Sequence, residues 1–296
     1  MASLLNSGTG GASALREALA SGEMVVAPGA FDALSARVAE REGFGAVYMT
    51  GFGSAAALLG RPDVGLIDFS EMVGNARNIA HAVGVPVIAD ADTGYGGVPS
   101  VIRTVQEYAR AGVAALHIED QDQPKRCGHL DEKPVIPPQE MEAKVRAAVA
   151  ASDGGPLIIA RTDARAMYGM NEALDRAERY AEAGADVLFV DAPQSEEEIE
   201  MISNRLRGKP LLFNWVENGK TPAMSRQRLQ ALGFSIVLFP ITSLLASLRA
   251  MKAALAPVAE SDWIEIADPE GPSLADAMEV VGMDEIRHLE DRFGTN

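Results

Sequence analysis

The sequence predicts a (β/α)8 TIM barrel with a C-terminal helical extension, and three observations predict it. Eight short runs rich in Val, Ile, Leu and Ala alternate with helical patterns along the chain. The runs are continuously apolar rather than alternating, as expected of parallel strands covered on both faces. Polar or charged groups close six of the eight. In a barrel those strand ends share one mouth, where catalysis takes place.

The runs fall at residues 24–27, 46–49, 85–89, 114–118, 157–160, 187–190, 211–213 and 236–239. Amphipathic helical spacing fills 71–83, 100–111, 170–183 and 225–232, and Gly84, Gly112, Gly184 and Gly233 follow these stretches. A glycine there predicts a left-handed C-cap before the next strand. The apolar segment 234–248 contains Pro240 and polar residues and is too short to span a bilayer. It reads as a buried strand running into a helix. A barrel needs roughly 250 residues, so residues 1–257 are assigned to a catalytic barrel domain and 258–296 to the extension. Helical spacing of Leu274, Met278, Val281, Ile286 and Leu289 predicts a helix over 273–292.

The formal charge of −16, from 26 basic against 42 acidic residues, disfavours nucleic-acid and anionic-membrane partners, which need a positive surface. A lone cysteine forms no internal disulfide, so a reducing, cytoplasmic setting is expected. The first eleven residues lack the basic and apolar regions of a signal peptide.

That cysteine, Cys127, stands among Lys125, Arg126 and His129, three potential cations that stabilise a thiolate. The surroundings argue against a buried structural thiol, and both a nucleophile and a proton donor remain open. Asp90 and Asp92 are two residues apart, so a strand directs both to one side, where they can share a hard cation. Two carboxylates suit Mg2+, with Mn2+ as an alternative, because such an ion keeps several waters. Glu119 and Asp191, at equivalent strand ends, are placed to hold those waters. Zinc is disfavoured by the lack of a spaced His/Cys set. Gly51, Gly53 and Ala56 match a relaxed dinucleotide fingerprint, but the acidic residue about twenty positions on, Glu71, falls in a helical stretch. A backbone N–H pocket for a substrate carboxylate is the preferred reading of that turn.

Seven stretches together resemble the isocitrate lyase / phosphoenolpyruvate mutase superfamily: YMTG at 48–51, LGRPD at 59–63, DADTG at 90–94, HIEDQ at 117–121, KRCGH at 125–129, ARTD at 160–163 and KTP at 220–222. The KRCGH loop is similar to that of the carbon–carbon bond lyase branch, which includes 2-methylisocitrate, 2,3-dimethylmalate and 2-alkylmalate lyases. The resemblance implies a Mg2+-dependent barrel whose loop from Lys125 to His129 closes over a small carboxylate substrate. It implies catalytic roles for Lys125, Cys127, His129, Arg161 and Glu119. It further implies substrate contacts from Thr50, Gly51, Phe52, Asp63, Gly128, Arg161 and Asn214, and metal-site roles for Asp90, Asp92, Glu119 and Asp191. A homotetramer that exchanges C-terminal helices is implied as well. Phosphonomutase and oxaloacetate decarboxylase chemistries share the barrel and are the alternative. The chain departs from the family at Asp191, where Glu is common. It departs again at Leu130, where 2-methylisocitrate lyases tend to carry Arg, and this second departure favours a smaller dicarboxylate.

Overall fold

A computed structural model describes residues 4–5, 11–125, 133–260 and 271–294. Helix α1 (Gly11–Ser21) precedes β1 (Val25–Ala30), α2 (Ala33–Arg41) and β2 (Val47–Met49). Two helices, α3 (Gly51–Leu59) and α4 (Phe69–Ala82), lead to β3 (Val87–Asp90), α5 (Val98–Ala111) and β4 (Ala115–Glu119). Next come α6 (Pro138–Ser152), β5 (Leu157–Thr162), α7 (Arg165–Glu182), β6 (Val187–Val190) and α8 (Glu196–Arg205). The barrel finishes with β7 (Leu211–Asn214), α9 (Arg226–Ala231), β8 (Phe234–Phe239) and α10 (Thr242–Glu260), followed by α11 (Leu274–Val280) and α12 (Met283–Phe293). The eight strands pair in sequence order, all parallel, and β8 closes on β1.

Two apolar clusters follow from the two-residue period of the strands. Val47, Met49, Val87, Ala89, Leu116 and Ile118 belong to the layer between sheet and helices. Tyr48, Ile88, Ile159, Phe189, Leu212 and Leu238 belong to a second cluster that fills the barrel. Extending the inner series by one step reaches Asp90 after Ile88, Arg161 after Ile159, Asp191 after Phe189 and Asn214 after Leu212. The alternation that fills the core therefore also aims the polar strand ends inward, into the mouth.

Helix α1 had no sequence signal that assigned it. Its Leu15 is 1% exposed and joins the interior cluster with Ala46 and Ala114, at the N-terminal ends of the strands. The opposite end of the barrel is the one that carries the polar groups.

Strands β3, β4, β5 and β7 run one or two residues past their apolar runs, because Asp90, Glu119, Arg161, Thr162 and Asn214 complete the ladder. Gly112, Gly184 and Gly233 adopt positive φ as expected. Helix α4 instead ends on an extended Val83 (φ −123°), so Gly84 has no left-handed role. The helix expected over 273–292 is broken at Gly282 (φ 86°) into α11 and α12. Helix α10 passes through Pro257, and none of its residues from 242 to 259 is buried. The 234–248 segment thus enters a helix that lies against solvent.

Candidate active site at the barrel mouth

A cavity of about 210 Å3 opens at the C-terminal strand ends. Tyr48, Thr50, Gly51 and Phe52 form one side, and Asp63, Asp90, Lys125, Arg161 and Asn214 supply its charged and polar groups. Val216, Pro240 and Ile241 complete an apolar wall.

Thr50 ends β2 and caps α3, accepting from the Gly53 amide at 3.2 Å. The amides of Gly51 and Phe52 belong to the first turn, where a helix leaves N–H groups without internal partners. With the helix dipole, a start of this kind suits an anion. The competing dinucleotide reading loses its acidic partner here. Glu71 sits inside α4 and accepts from the Asp68 amide at 2.9 Å, as half of a capping box.

Lys125 is the pivot of the site, with its Nζ 3.5 Å from where a β-carbon on Gly51 would stand. Its Nζ lies 2.9 Å from both carboxylate oxygens of Asp63 and also contacts Asp92 Oδ1. Burial alone would favour a neutral Lys125, but Asp92, Asp90 and Asp63 outweigh it and hold the ammonium charged. Asp92 adopts φ 47°, and its amide donates to Asp90 Oδ1 at 2.9 Å. Burial, with Asp90 and Asp63 nearby, pushes the Asp92 carboxyl up to about 6 despite Lys125. Asp90 is held at about 2: burial would raise it, and His117, Lys125, Arg161 and the Asp92 amide lower it. Burial also draws His117 down to about 4, so the ring is neutral at pH 7, and Lys125 and Arg161 then supply the charge that holds Asp90 low.

Arg161 binds Asp163 through Nε at 3.1 Å and Nη2 at 3.0 Å, with Asp191 Oδ2 at 3.1 Å and Glu119 Oε2 at 3.3 Å. Its guanidinium carbon stands 4.9 Å above the centre of the Phe189 ring. Glu119 is fully buried, and burial pushes its carboxyl well above the ordinary range against the pull of Arg161. Among the described residues, neither Glu119 oxygen has a hydrogen-bond partner, and the same holds for Asp191 Oδ1 and Asn214 Oδ1. Four buried acceptors without donors is a large number for one site, since such atoms cost free energy unless something satisfies them. Among the described residues, no three His, Cys, Asp or Glu side chains converge closely enough to hold a bare ion.

Thr50, Gly51, Phe52, Asp63, Lys125, Arg161, Asn214 and Asp90 therefore meet in one cavity, with Asp92, Glu119 and Asp191 packed around it. Cys127, Gly128 and His129 lie outside the described residues. Three participants escaped the sequence reading. Tyr48 places its hydroxyl 2.8 Å from His117 Nε2 and 3.5 Å from Asp90 Oδ2, which the period-two spacing of Tyr48 and Thr50 across β2 did not indicate. Lys133, 1% exposed, pairs with Asp163 at 2.5 Å and Asp191 at 3.2 Å. Asp163 was visible only as a strand-end group. Burial would raise it, yet Arg161 and Lys133 hold it well below the usual carboxylate range.

Comparison with known proteins agrees with this geometry. The family model described as phosphoenolpyruvate phosphomutase matches residues 15–259. A 2,3-dimethylmalate lyase of Eubacterium barkeri is 43% identical over 285 residues, covering 96% of this chain and 98% of that protein. A 2-methylisocitrate lyase of Aeropyrum pernix is 45% identical over 246 residues, covering 83% and 79%. Among solved structures, a 2,3-dimethylmalate lyase described as a PEP mutase/isocitrate lyase superfamily member aligns with TM-score 0.91 and 40% identity over 96% of this chain and 95% of that one. An oxaloacetate acetylhydrolase bound to 3,3-difluorooxalacetate aligns with TM-score 0.93 and 36% identity over 98% and 99%. A closed parallel barrel, a helix start beside paired aspartates, and these alignments lead to one conclusion: the chain belongs to the PEP mutase/isocitrate lyase superfamily.

Proposed function

We propose that this chain is a divalent-metal-dependent carbon–carbon bond lyase. Its substrate is a 2-hydroxy dicarboxylate or tricarboxylate of the 2-alkylmalate or 2-methylisocitrate type. The products are an α-keto acid, glyoxylate or pyruvate, and a second carboxylate. The observation that carries this reading is the divided lining of the cavity. Asp90, Lys125 and Arg161 line it from the side of β3 to β5, while apolar Val216, Pro240 and Ile241 line it from the segments after β7 and β8. A ligand that satisfies both sides has carboxylates at one end and alkyl groups at the other. A cavity of about 210 Å3 lies below the ~300–1,000 Å3 typical of sites for larger ligands, which suits a small acid.

The donor set fits a hydrated Mg2+ or Mn2+. Oxygen ligands are what such ions take, and the partnerless oxygens of Glu119 and Asp191 are natural acceptors for metal-bound water. Asp90 and Asp92 would hold the ion, with Glu119 and Asp191 orienting its waters. When bound, the ion polarises the substrate's α-hydroxy acid oxygens and offsets the charge that develops as the bond breaks.

The chain's own groups carry the remaining work. Gly51 and Phe52 amides, at the Thr50-capped helix start, bind one carboxylate, with Asn214 as a further polar contact. Arg161 faces the developing negative charge from β5. Lys125, fixed between Asp63 and Asp92, anchors the start of the loop that bears Cys127, Gly128 and His129. A base takes the hydroxyl proton, the C–C bond breaks with its electron pair left on the departing carbon, and Cys127, two residues before His129, gives its proton to that carbanion. Closure of that loop keeps bulk water from the carbanion.

We further infer a homotetramer in which C-terminal helices are exchanged, with 1–257 as the catalytic barrel and 258–296 as the extension. Support comes from the exposed apolar stripe of α10: Leu245, Leu248, Met251, Leu255 and Val258. An apolar groove of about 470 Å3, lined by Val26, Val38, Phe44 and Phe239 among others, offers it a seat. The single cysteine supports a cytoplasmic setting.

The fit to oxaloacetate acetylhydrolase favours oxaloacetate as a second candidate substrate. A panel of 2-methylisocitrate, isocitrate, 2,3-dimethylmalate, 2-alkylmalates and oxaloacetate, assayed with Mg2+ for glyoxylate, pyruvate or oxalate release, decides between them. Phosphonopyruvate followed by phosphorus resonance tests the mutase alternative. Turnover of phosphonopyruvate alone would sink the lyase reading.

A further inference from the structure

We propose that Lys133 is a positioning residue that keeps the charge of Arg161 available to a carboxylate in the barrel mouth. This rests on the reading of Arg161 as a substrate contact.

Lys133 closes a ring of charges at the mouth. Lys133 Nζ lies 2.5 Å from Asp163 Oδ1, which lies 3.0 Å from Arg161 Nη2. That nitrogen is 3.1 Å from Asp191 Oδ2, which returns to Lys133 at 3.2 Å. Two cations and two carboxylates alternate around it, and all four residues are at most 7% exposed. Glu119 stands outside the ring, 3.3 Å from Arg161 Nε. These contacts occupy Nε and Nη2 of the guanidinium and leave Nη1 unengaged by the ring.

Arg161 alone would face the two carboxylates of the ring, Asp163 and Asp191, with a single positive charge. The strand end would then be net negative where an anionic ligand has to dock. Lys133 cancels that excess. It enters from the segment that follows residues 126–132, whereas Arg161, Asp163 and Asp191 come from the ends of β5 and β6. Water cannot screen the imbalance at this depth, so the lysine sets the sign of the field there. Its role is thus electrostatic and acts through Arg161.

Titration of oxalate into the Mg2+-loaded protein by calorimetry tests this without requiring turnover. Lys133→Met should weaken oxalate binding tenfold or more. The double variant Lys133→Met/Asp163→Asn, which removes one cation and one anion, should recover most of that loss. In steady state with a turned-over substrate, the single variant should raise KM more than it lowers kcat. If Lys133→Met does not fold, Lys133→Gln takes its place, because glutamine keeps hydrogen-bonding donors without the charge. Unchanged oxalate affinity in a folded, uncharged variant overturns the proposal, as does a double variant no better than the single. Wild-type protein that fails to bind oxalate overturns it too. Oxalate binding that depends on Lys133, in a protein that cleaves none of the panel, would leave the proposal standing and remove the lyase reading instead.

Discussion

Gly51 packs so closely against Asp90 that a β-carbon at position 51 would overlap Asp90 Oδ2 and stand 2.9 Å from its Cγ. The glycine starts α3, and the aspartate ends β3. The absence of one methyl group thus lets the start of α3 and the carboxylate share a cavity wall. Gly51→Ala should displace the Asp90 carboxylate, weaken Mg2+ affinity at least tenfold, and cost about 1–3 kcal/mol of stability from overpacking. Calorimetric Mg2+ titration and urea unfolding measure the two effects. Wild-type Mg2+ affinity in the variant would show that the close approach has no bearing on the metal.

Asp92→Ala should abolish metal-dependent turnover while the barrel stays folded. The side chain contacts Lys125 and adds no apolar group to the core, so its loss removes a ligand rather than hydrophobic packing. Activity at an unaltered Mg2+ dependence would refute the metal assignment.

Cys127→Ser separates the chemistries. Serine is nearly isosteric but far less acidic, so proton donation should fail while the substrate still binds through Thr50, Gly51 and Arg161. Loss of general acid–base catalysis typically costs about 10²–10⁴ in rate, and kcat should fall by that order with KM little changed. A variant with near-wild-type lyase turnover would take the thiol out of the mechanism.

Removing residues 273–296 should weaken assembly or lower thermal stability. Within one chain this segment is tied to α2: Arg41 donates to Glu279 O at 2.8 Å and contacts its carboxylate, and Arg37 reaches Val280 O at 3.4 Å. Light scattering and a melting scan report the outcome. An unchanged tetramer with an unchanged melting temperature would show the segment to be dispensable.

Much of this was legible in the sequence because strands impose a period of two and barrels gather strand ends. Asp90, Asp92, Glu119, Arg161 and Asn214 each follow an apolar run, so their shared location was readable once eight strands were counted. Lys133 was not, since a lysine after an acidic loop segment looks like any solvated charge; only the fold brings it to Asp163 and Asp191. The Tyr48–His117 pair was hidden for the same reason, as the two residues come from β2 and β4, which are not neighbours in the sheet. Helix α1 was missed because Leu15 is its single buried side chain, too few to set an apolar period. Gly282 split the final helix through a positive φ that an apolar repeat does not register.

Helix α10 exposes five large apolar side chains and buries no residue through position 259. Where a second copy covers that stripe, folding and association become one equilibrium, and mass action makes the unfolding midpoint a function of protein concentration. Dilution would then act as a denaturant. The melting temperature would fall with each step of a dilution series, and a value quoted without a concentration would describe the solution as much as the molecule.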